Sequence, residues 1–266
     1  MKDSLGDRIK EYETAYRIKL PRRTYAILRI DGKSFHTWTK GLDRPFDNDL
    51  IQDMDETAKY LCKNLSGAKF AYVQSDEISI LLTDFDAIGT QAWFDNNVQK
   101  MVSVAASTAT AIFNELRSQR FLTRDAFDNR YVQKPKLAMF DARIFIIPQR
   151  VEVSNYFIWR QQDCTRNSIS SVAQSLYPHK ELHGVNSEAK QELIFQKGIN
   201  WNDYPARKKR GGFIERITFV NGQDVRDIPN QEIALTDTVR NKWVSVECPI
   251  FTQEKTFLDN RIPENK

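Results

Sequence analysis

Three acidic residues stand beside turn-forming residues, at points where apolar segments end. Asp31 follows residues 24–30 and precedes Gly32, whereas Asp76 and Glu77 follow the next apolar segment of the chain. Close carboxylates repel one another, and a divalent cation is the usual remedy. Hard oxygen ligands suit Mg²⁺. Two such ions roughly 3.5–4 Å apart clamp both oxygens of an in-line phosphoryl displacement, so these acids predict a two-metal transfer site.

The segment after Asp31 favours contact with a phosphate chain. Gly32 allows the backbone to approach a ligand closely, and the amide groups that follow could form an anion nest. The sequence contains neither GxxxxGK[ST] nor GxGxxG, so neither a P-loop enzyme nor a dinucleotide-binding fold is supported. The alternative for each acid is a plain turn residue, because Asp and Gly favour turns in any protein.

The elements that must position these acids follow the order strand, helix, strand, strand, helix, strand. Strands are predicted over residues 24–30, 70–74, 78–83 and 137–147, and helices over residues 50–65 and 94–116. Asp47 or Asn48 could cap the first helix, and Gly67 stops it. This order is the ferredoxin-like βαββαβ arrangement, an α+β fold with both helices on one face of an antiparallel sheet. The third strand then lies between the first two, which brings Asp31 beside Asp76 and Glu77.

The second half of the chain adds helices and short strands. Residues 149–200 read as helical, and residues 213–220 and 243–246 read as strands, with a turn at Asn221-Gly222. We therefore divide the chain into a catalytic core, residues 1–148, and a helical and short-strand region, residues 149–266. The second region is expected to pack on the core as one compact body.

Composition restricts the class of protein. The 266 residues are 41% hydrophobic and 28% charged, and the formal charge is 39 − 35 = +4, so an anionic partner would need a local basic patch. Three scattered cysteines without a CxxC pair argue against a disulfide framework or a structural zinc site. We expect a cytoplasmic protein without a membrane segment, because the first ten residues are polar and the apolar runs are short.

Five motifs occur in an order that resembles the tRNA(His) guanylyltransferase family. DGKSFH begins at Asp31, QSDE at Gln74, FDAR at Phe140, WRQQDC at Trp159 and KRG at Lys209. The likeness covers most of residues 1–215. It implies a palm-like core related to polymerases, two Mg²⁺ ions, a tRNA substrate, ATP and GTP or other nucleoside triphosphates, and a homotetramer. It also implies 3′–5′ addition, in which the 3′-hydroxyl of an incoming nucleotide attacks a 5′ end activated by a triphosphate or by adenylylation.

The resemblance also implies roles for single residues. Asp31, the Gly32 carbonyl and Asp76 would hold the metal, with Glu77 as a supporting catalytic acid. The residues implied to line the nucleoside triphosphate are Asp31, Gly32, Lys33, Ser34, Phe35, His36, Ser75 and Asp76. Those implied near a second nucleotide or the RNA end are Arg44, Lys100, Arg143, Asn167, Lys190, Asn200, Lys209 and Arg210. The alternative for the basic run at residues 207–210 is a solvated loop.

One departure from the family bears on the substrate. Members that act on histidine tRNA carry HINNLYN after the WRQ block, whereas residues 165–171 here read TRNSISS. This difference favours the guanylyltransferase-like branch, which restores 5′-truncated tRNAs with template-matched nucleotides. The alternatives are a strict tRNA(His) guanylyltransferase, a nucleotide cyclase with a similar two-metal site, and a non-catalytic RNA-binding module.

Overall fold

The structure is a computed structural model, and it describes residues 4–127, 136–227 and 238–265. Its strands are β1 (Tyr25–Gly32), β2 (Ala68–Gln74), β3 (Glu77–Leu82), β4 (Phe140–Ile147), β5 (Gly212–Val220), β6 (Gln223–Asp224) and β7 (Val239–Val246). Its helices are α1 (Ser4–Ala15), α2 (Phe35–Trp38), α3 (Asn48–Asn64), α4 (Val98–Phe127), α5 (Arg150–Leu176), α6 (His179–Leu182), α7 (Ser187–Gln196), α8 (Ala206–Arg210) and α9 (Lys255–Asp259). In the described part of the chain, no helix is both long and apolar enough to cross a membrane.

The strands form one antiparallel sheet in the order β4-β1-β3-β2-β5-β6, and β7 pairs with β5. Strand β3 lies between β1 and β2 and is antiparallel to both. The predicted α+β fold is therefore confirmed, with the ferredoxin-like order β1-α3-β2-β3-α4-β4. Strand β5 pairs with β2, so the C-terminal strands extend the same sheet. The division of the chain at residue 148 stays a prediction.

Each face of the sheet is covered by a different layer. Helices α3 and α4 cover one face, where Met54 and Phe113 pack with strand residues such as Ile80. The first half of α5 and the C-terminal segment cover the other face, where Phe157 and Phe251 are buried. Because successive residues of a strand point to opposite faces, the central strands are apolar at nearly every position until they reach the acidic edge.

Helix α3 begins as the sequence predicts. The Asp47 side chain accepts a hydrogen bond from the Leu50 N–H at 2.7 Å, which satisfies one donor at the helix start. Gly67 follows the helix with a φ of +84°, so the chain turns back into β2. This short connection fixes where β2 starts, and thus where its far end reaches the acidic edge.

Several predicted boundaries were wrong: α4 continues to Phe127 rather than ending at residue 116, β7 begins at Val239 rather than Trp243, and the starts of α4 and β4 were also misplaced. The second long helix begins at Val98 rather than Phe94, because Phe94 and Asp95 have positive φ angles of 49° and 51° in a tight turn. Strand β4 begins at Phe140 rather than Leu137, which is 81% exposed. Phe94 and Leu137 are apolar and continue the hydrophobic pattern of α4 and β4, although each lies outside the element itself.

The second half of α5 leaves the sheet and builds a separate small core. Ile169, Val172 and Ala173 pack there against Leu182 and Ile194. The same helix therefore covers the sheet with its first half and supports a second layer of short helices with its last half.

Replacing Gly67 with Ala should destabilise the protein by at least about 2 kcal/mol. A Cβ at this position would meet the Thr83 carbonyl oxygen at 2.3 Å, and the positive φ adds backbone strain. The matched control is Gly222→Ala, because Gly222 has a φ of +88° with nothing within 4 Å of the added Cβ. The control should cost only about 1 kcal/mol. Urea unfolding of both variants measures the difference, and equal costs would contradict the role assigned to Thr83.

Candidate active site

The acidic residues meet at one edge of the sheet. Asp31 is the register partner of Glu77 on β3 and of Asp141 on β4. The Gly32 N–H donates a hydrogen bond to the Asp76 carbonyl oxygen at 3.2 Å. The end of β1 is therefore tied to the turn between β2 and β3, although 44 residues separate Gly32 and Asp76.

The turn that carries Asp76 contains only two residues. Gln74 pairs with Glu77, so Ser75 and Asp76 alone connect β2 to β3. Ser75 has a φ of 47°, which is uncommon for a residue with a side chain. Such strain is found at functional sites when the surrounding structure imposes it. Here both flanking strands lie inside the sheet, so the turn has little freedom to relax.

The environment of Asp76 disfavours a negative charge. Burial and, to a smaller extent, the nearby charges of Asp31 and Glu77 raise the pKa of its carboxyl group from 3.8 to about 6, against the opposing effect of hydrogen bonds from Ser75 and the backbone. A bound cation would relieve this repulsion. Among the described residues, however, no group of three His, Cys, Asp or Glu side chains could hold a metal ion. The donors available are thus Asp31 and Asp76, with a main-chain oxygen such as that of Gly32.

Glu77 is neutralised by the chain itself. Arg160 of α5 donates from Nε to Glu77 Oε1 at 2.9 Å and from a terminal nitrogen to Oε2 at 2.8 Å, and both residues are buried. Ser79 donates to the same carboxylate at 3.0 Å and contacts the Tyr156 hydroxyl. The catalytic role of Glu77 stays a prediction, and its contacts suit a residue that fixes the turn.

The segment after Asp31 is anchored through Phe35. Its ring is buried, with ring centroids 4.9 Å from Trp38, 5.8 Å from Phe113 and 5.2 Å from Phe140. A Cβ on Gly32 would lie 2.2 Å from this ring. Gly32 is therefore required by the core as well as by any ligand, and the Phe35 ring is turned away from solvent.

The polar residues of this segment are exposed. Lys33, Ser34 and His36 lie on the surface beside α2, and Ser75 is exposed across the edge. Ser34 has a φ of 55° and its carbonyl accepts hydrogen bonds from Thr37 and Trp38. The first N–H groups of a helix have no partner within the helix, so this turn offers donors to an anion.

Two arginines lie on the face that Asp31 shares. A terminal nitrogen of Arg143 is 3.9 Å from Asp31 and 3.4 Å from Asp141. Arg29 is the register partner of Arg143, and its buried Nε has no hydrogen-bond partner among the described residues. Like charges opposite each other on a sheet repel, and an anion bound between the two guanidinium groups would offset this repulsion. Arg29 is not among the site residues that the sequence predicts, although the two-residue period of a strand places it on the face of Asp31.

Four more of the expected residues surround the last half of α5. Asn167 donates to Asp163 at 3.4 Å, and Lys190 of α7 donates to Ser170 at 3.1 Å. The Lys209 ammonium lies 5.6 Å from the centre of the Trp201 ring. Asn200 caps the short turn that begins with this tryptophan. The Trp201 indole in turn donates to Ser168 of α5 at 3.0 Å.

The remaining expected residues lie elsewhere. Arg210 donates from Nε to the Cys248 carbonyl at 2.8 Å, so its guanidinium supports the C-terminal segment. Arg44 and Lys100 are exposed, in the loop before α3 and in the first turn of α4. No hydrogen bond or ion pair between described residues joins Arg44 or Lys100 to the α5 surface. The roles of all these residues stay predictions.

Comparison with known proteins decides the family. The model of the tRNAHis guanylyltransferase family matches residues 6–148, which is more than half of the 266-residue chain. The chain belongs to the tRNAHis guanylyltransferase family. It is accordingly a nucleotidyltransferase with the palm-like fold of that family, as the motifs predicted.

Individual relatives agree with this assignment. The tRNA(His) guanylyltransferase of Schizosaccharomyces pombe is 30% identical over 79% of this chain and 80% of its own. A bacterial tRNA(His) guanylyltransferase-like protein solved in complex with ATP is 45% identical, with a TM-score of 0.80 over 98% of this chain and 99% of that one. A second bacterial structure, in complex with GTP, is 42% identical with a TM-score of 0.77, over 98% and 100% of the two chains.

Asp76→Asn should stabilise the metal-free protein at alkaline pH. A native pKa of about 6 against 3.8 means that ionised Asp76 opposes folding. This contribution is absent below pH 3.8 and grows through pH 6 to about 3 kcal/mol. In EDTA at pH 8 the variant should therefore resist urea better than the wild type, and the advantage should shrink toward pH 4.5. Added Mg²⁺ should stabilise only the wild type.

The matched control for this stabilisation is Asp84→Asn. Asp76 is half-buried and Asp84 is buried, but Asp84 accepts hydrogen bonds from Arg22 and from the Arg23 N–H, both at 2.7 Å. The same chemical change should therefore destabilise the protein at pH 8. Destabilisation by Asp76→Asn in EDTA would contradict the repulsion described here.

Glu77 and Arg160 should show strong energetic coupling. Arg160→Met leaves the buried Glu77 without its counter-charge, at a cost of about 3 kcal/mol, whereas Glu77→Gln should cost less because Arg160 keeps its ion pair with Asp163 at 3.0 Å. The double variant should cost less than the sum of the two. A double-mutant cycle in urea measures this coupling. Additive costs would show that the pair does not hold the turn.

Proposed function

We propose that this protein adds nucleotides in the 3′–5′ direction to the 5′ end of tRNA, and that it restores truncated tRNAs with template-matched nucleotides. The observation that carries the proposal is the meeting of Asp31 and Asp76 at one sheet edge, beside Arg143 and the unpartnered Nε of Arg29, in a member of this family. ATP and GTP, the ligands of the two bacterial relatives, are the nucleotides that we assign to it.

The metal site that we propose uses Asp31, Asp76 and the Gly32 carbonyl. Two carboxylates with a raised pKa at one of them fit hard divalent cations, and we assign two Mg²⁺ ions. When bound, the ions would polarise the phosphoryl group and favour the ionised 3′-hydroxyl. Glu77, held by Arg160, keeps the Asp76 turn in place during this step.

The incoming nucleoside triphosphate is assigned to the segment after Asp31. Lys33 supplies a point charge, and the N–H groups at the start of α2 supply donors. Ser34, His36 and Ser75 are the exposed polar groups that complete the assignment. Because Phe35 is fixed in the core, this segment can bind phosphates without first becoming ordered.

The activated RNA end is assigned to the face that carries Arg29 and Arg143. The 3′-hydroxyl attacks the 5′ α-phosphate, a 3′–5′ phosphodiester forms, and the bond to pyrophosphate or AMP breaks. Arginine pairs suit the charge of the leaving group. Asn167, Lys190, Asn200, Lys208 and Lys209 are assigned to RNA or a second triphosphate. The two arginines of the 207–210 run are bound within the chain, Arg207 to Asp55 at 2.7 Å and Arg210 to the Cys248 carbonyl.

Two further assignments follow from the family resemblance alone. We propose a homo-oligomer, a tetramer by that resemblance, and a cytoplasmic location. The assigned transfer reaction depends on neither the oligomeric state nor the location.

Templated repair is supported by the sequence of the α5 segment that replaces HINNLYN. Here Ser168 accepts the hydrogen bond of Trp201, and Ser170 accepts that of Lys190. Two serines of this segment are thus occupied by contacts within the chain. We infer that base pairing with the opposite strand of the acceptor stem selects the nucleotide.

The test uses tRNA that lacks its first nucleotide and carries either a 5′ triphosphate or a 5′ monophosphate with ATP. With Mg²⁺ and all four nucleoside triphosphates, the wild type should add the complement of the opposing base, and changing that base should change the product. Sequencing of the extended 5′ end measures this. Guanosine added regardless of the opposing base would indicate a strict tRNA(His) enzyme, and cyclic nucleotide formed without RNA would indicate a cyclase.

Asp31→Asn should lower this addition by about three orders of magnitude or more, because metal stabilisation of the displacement is worth several kcal/mol. The control is Asp95→Asn, which removes an exposed carboxylate paired with Lys19 and should leave the rate unchanged. Circular dichroism checks that both variants are folded. A near wild-type rate for Asp31→Asn at saturating Mg²⁺ would overturn the assignment of this residue.

A further inference from the structure

A groove of about 860 Å³ lies at the end of the sheet opposite to the acidic edge. It is lined by the last half of α3, the start of β2, and residues of β5 and β7. Strand β2 begins at this groove with Ala68 and ends at the acidic edge with Gln74, so about 20 Å separates them along the strand. A small nucleotide at the acidic edge therefore cannot also occupy the groove.

The charges of the groove are unbalanced. Its two acidic residues, Glu56 and Asp86, are each paired with a lysine of the groove, Lys59 and Lys69. Two more cations line it, namely Lys63 and Arg216, and both are exposed. Neither has an ion pair with a described residue. Lys242 also lines the groove, but its ammonium lies 5.3 Å from the centre of the Phe219 ring, on the other face of the sheet. The groove thus carries a local excess of two positive charges, although the whole chain carries only +4.

Aromatic side chains stand between these cations. Tyr60 of α3 is 43% exposed and lines the groove. Trp243 of β7 is half-buried on the same wall, and it is the register partner of Arg216. Unpaired cations with aromatic side chains are typical of surfaces that bind nucleic acid, where the cations contact phosphates.

We propose that this basic groove binds the phosphate backbone of the tRNA body, away from the 5′ end that reacts. The identity of the RNA rests on the proposed function, whereas the preference for a polyanion rests on the groove itself. Lys63 and Arg216 supply the phosphate contacts. Such contacts position an RNA without reading its sequence, which suits an enzyme whose template selects the nucleotide.

The test compares two RNAs with the same 5′ end, a full-length truncated tRNA and a minihelix made of its acceptor stem. The variant carries Lys63→Ala and Arg216→Ala together. The control carries Lys10→Ala and Lys255→Ala, at two exposed residues that lie outside the groove, and it has the same net charge. Affinity is measured by fluorescence anisotropy against salt, so the measurement needs no turnover and can succeed even if the proposed reaction fails.

The groove variant should bind full-length tRNA at least about tenfold more weakly than the control. The slope of its log affinity against log salt concentration should become shallower by about one for each lost contact. Its affinity for the minihelix should stay within about twofold of the control. Equal tRNA affinity and slope in the two variants would overturn the proposal, as would an equal loss for the minihelix. Sedimentation of both variants without RNA gives their oligomeric states. A change in the groove variant alone would indicate that the groove is an interface between copies of the chain, and it would also overturn the proposal.

Discussion

Repulsion among carboxylates at one edge of the sheet is the constraint on which the site depends. Asp31, Asp76 and Glu77 are brought together by the register of β1 with β3 and by the hydrogen bond from Gly32 to the Asp76 carbonyl. Glu77 receives a counter-charge from Arg160, and Arg143 lies 3.9 Å from Asp31, whereas no ion pair joins Asp76 to another described residue. The negative charge that remains at the edge favours cations, and the fold tolerates its cost because apolar side chains buried on both faces of the sheet hold the strand register.

Two supports keep the edge in place, and they come from opposite faces of the sheet. Phe35 secures the segment after Asp31 from the side of α4, where it contacts Phe113. Arg160 secures the turn before Glu77 from the side of α5. Neither support needs to touch a nucleotide. Each reduces the ordering that binding would otherwise require, so more of the binding energy remains for the reaction.

The sequence predicts the parts of the site that depend on local patterns. Strand alternation and the two-residue turn are local, so the meeting of Asp31 with Asp76 followed once the topology was inferred. The Glu77–Arg160 pair joins residues 83 positions apart, and no pattern within either segment indicates the partner. The space beside Gly32 is likewise filled by a ring whose position depends on Phe113 and Phe140. The predicted start of α4 at Phe94 was wrong because hydrophobic periodicity carries no information about the positive φ angle of this residue.

Helix α5 has a mechanical consequence. It contains 27 residues with no Pro or Gly, so it is a stiff rod of about 40 Å without a built-in hinge. Asp163 joins Arg160 at 3.0 Å to Asn167 at 3.4 Å, one turn along the same face. The rod therefore holds the Arg160–Glu77 pair and the small core around Ile169 and Ile194 at a fixed separation, so the acidic edge and the α5 surface that carries Asn167 keep one relative position.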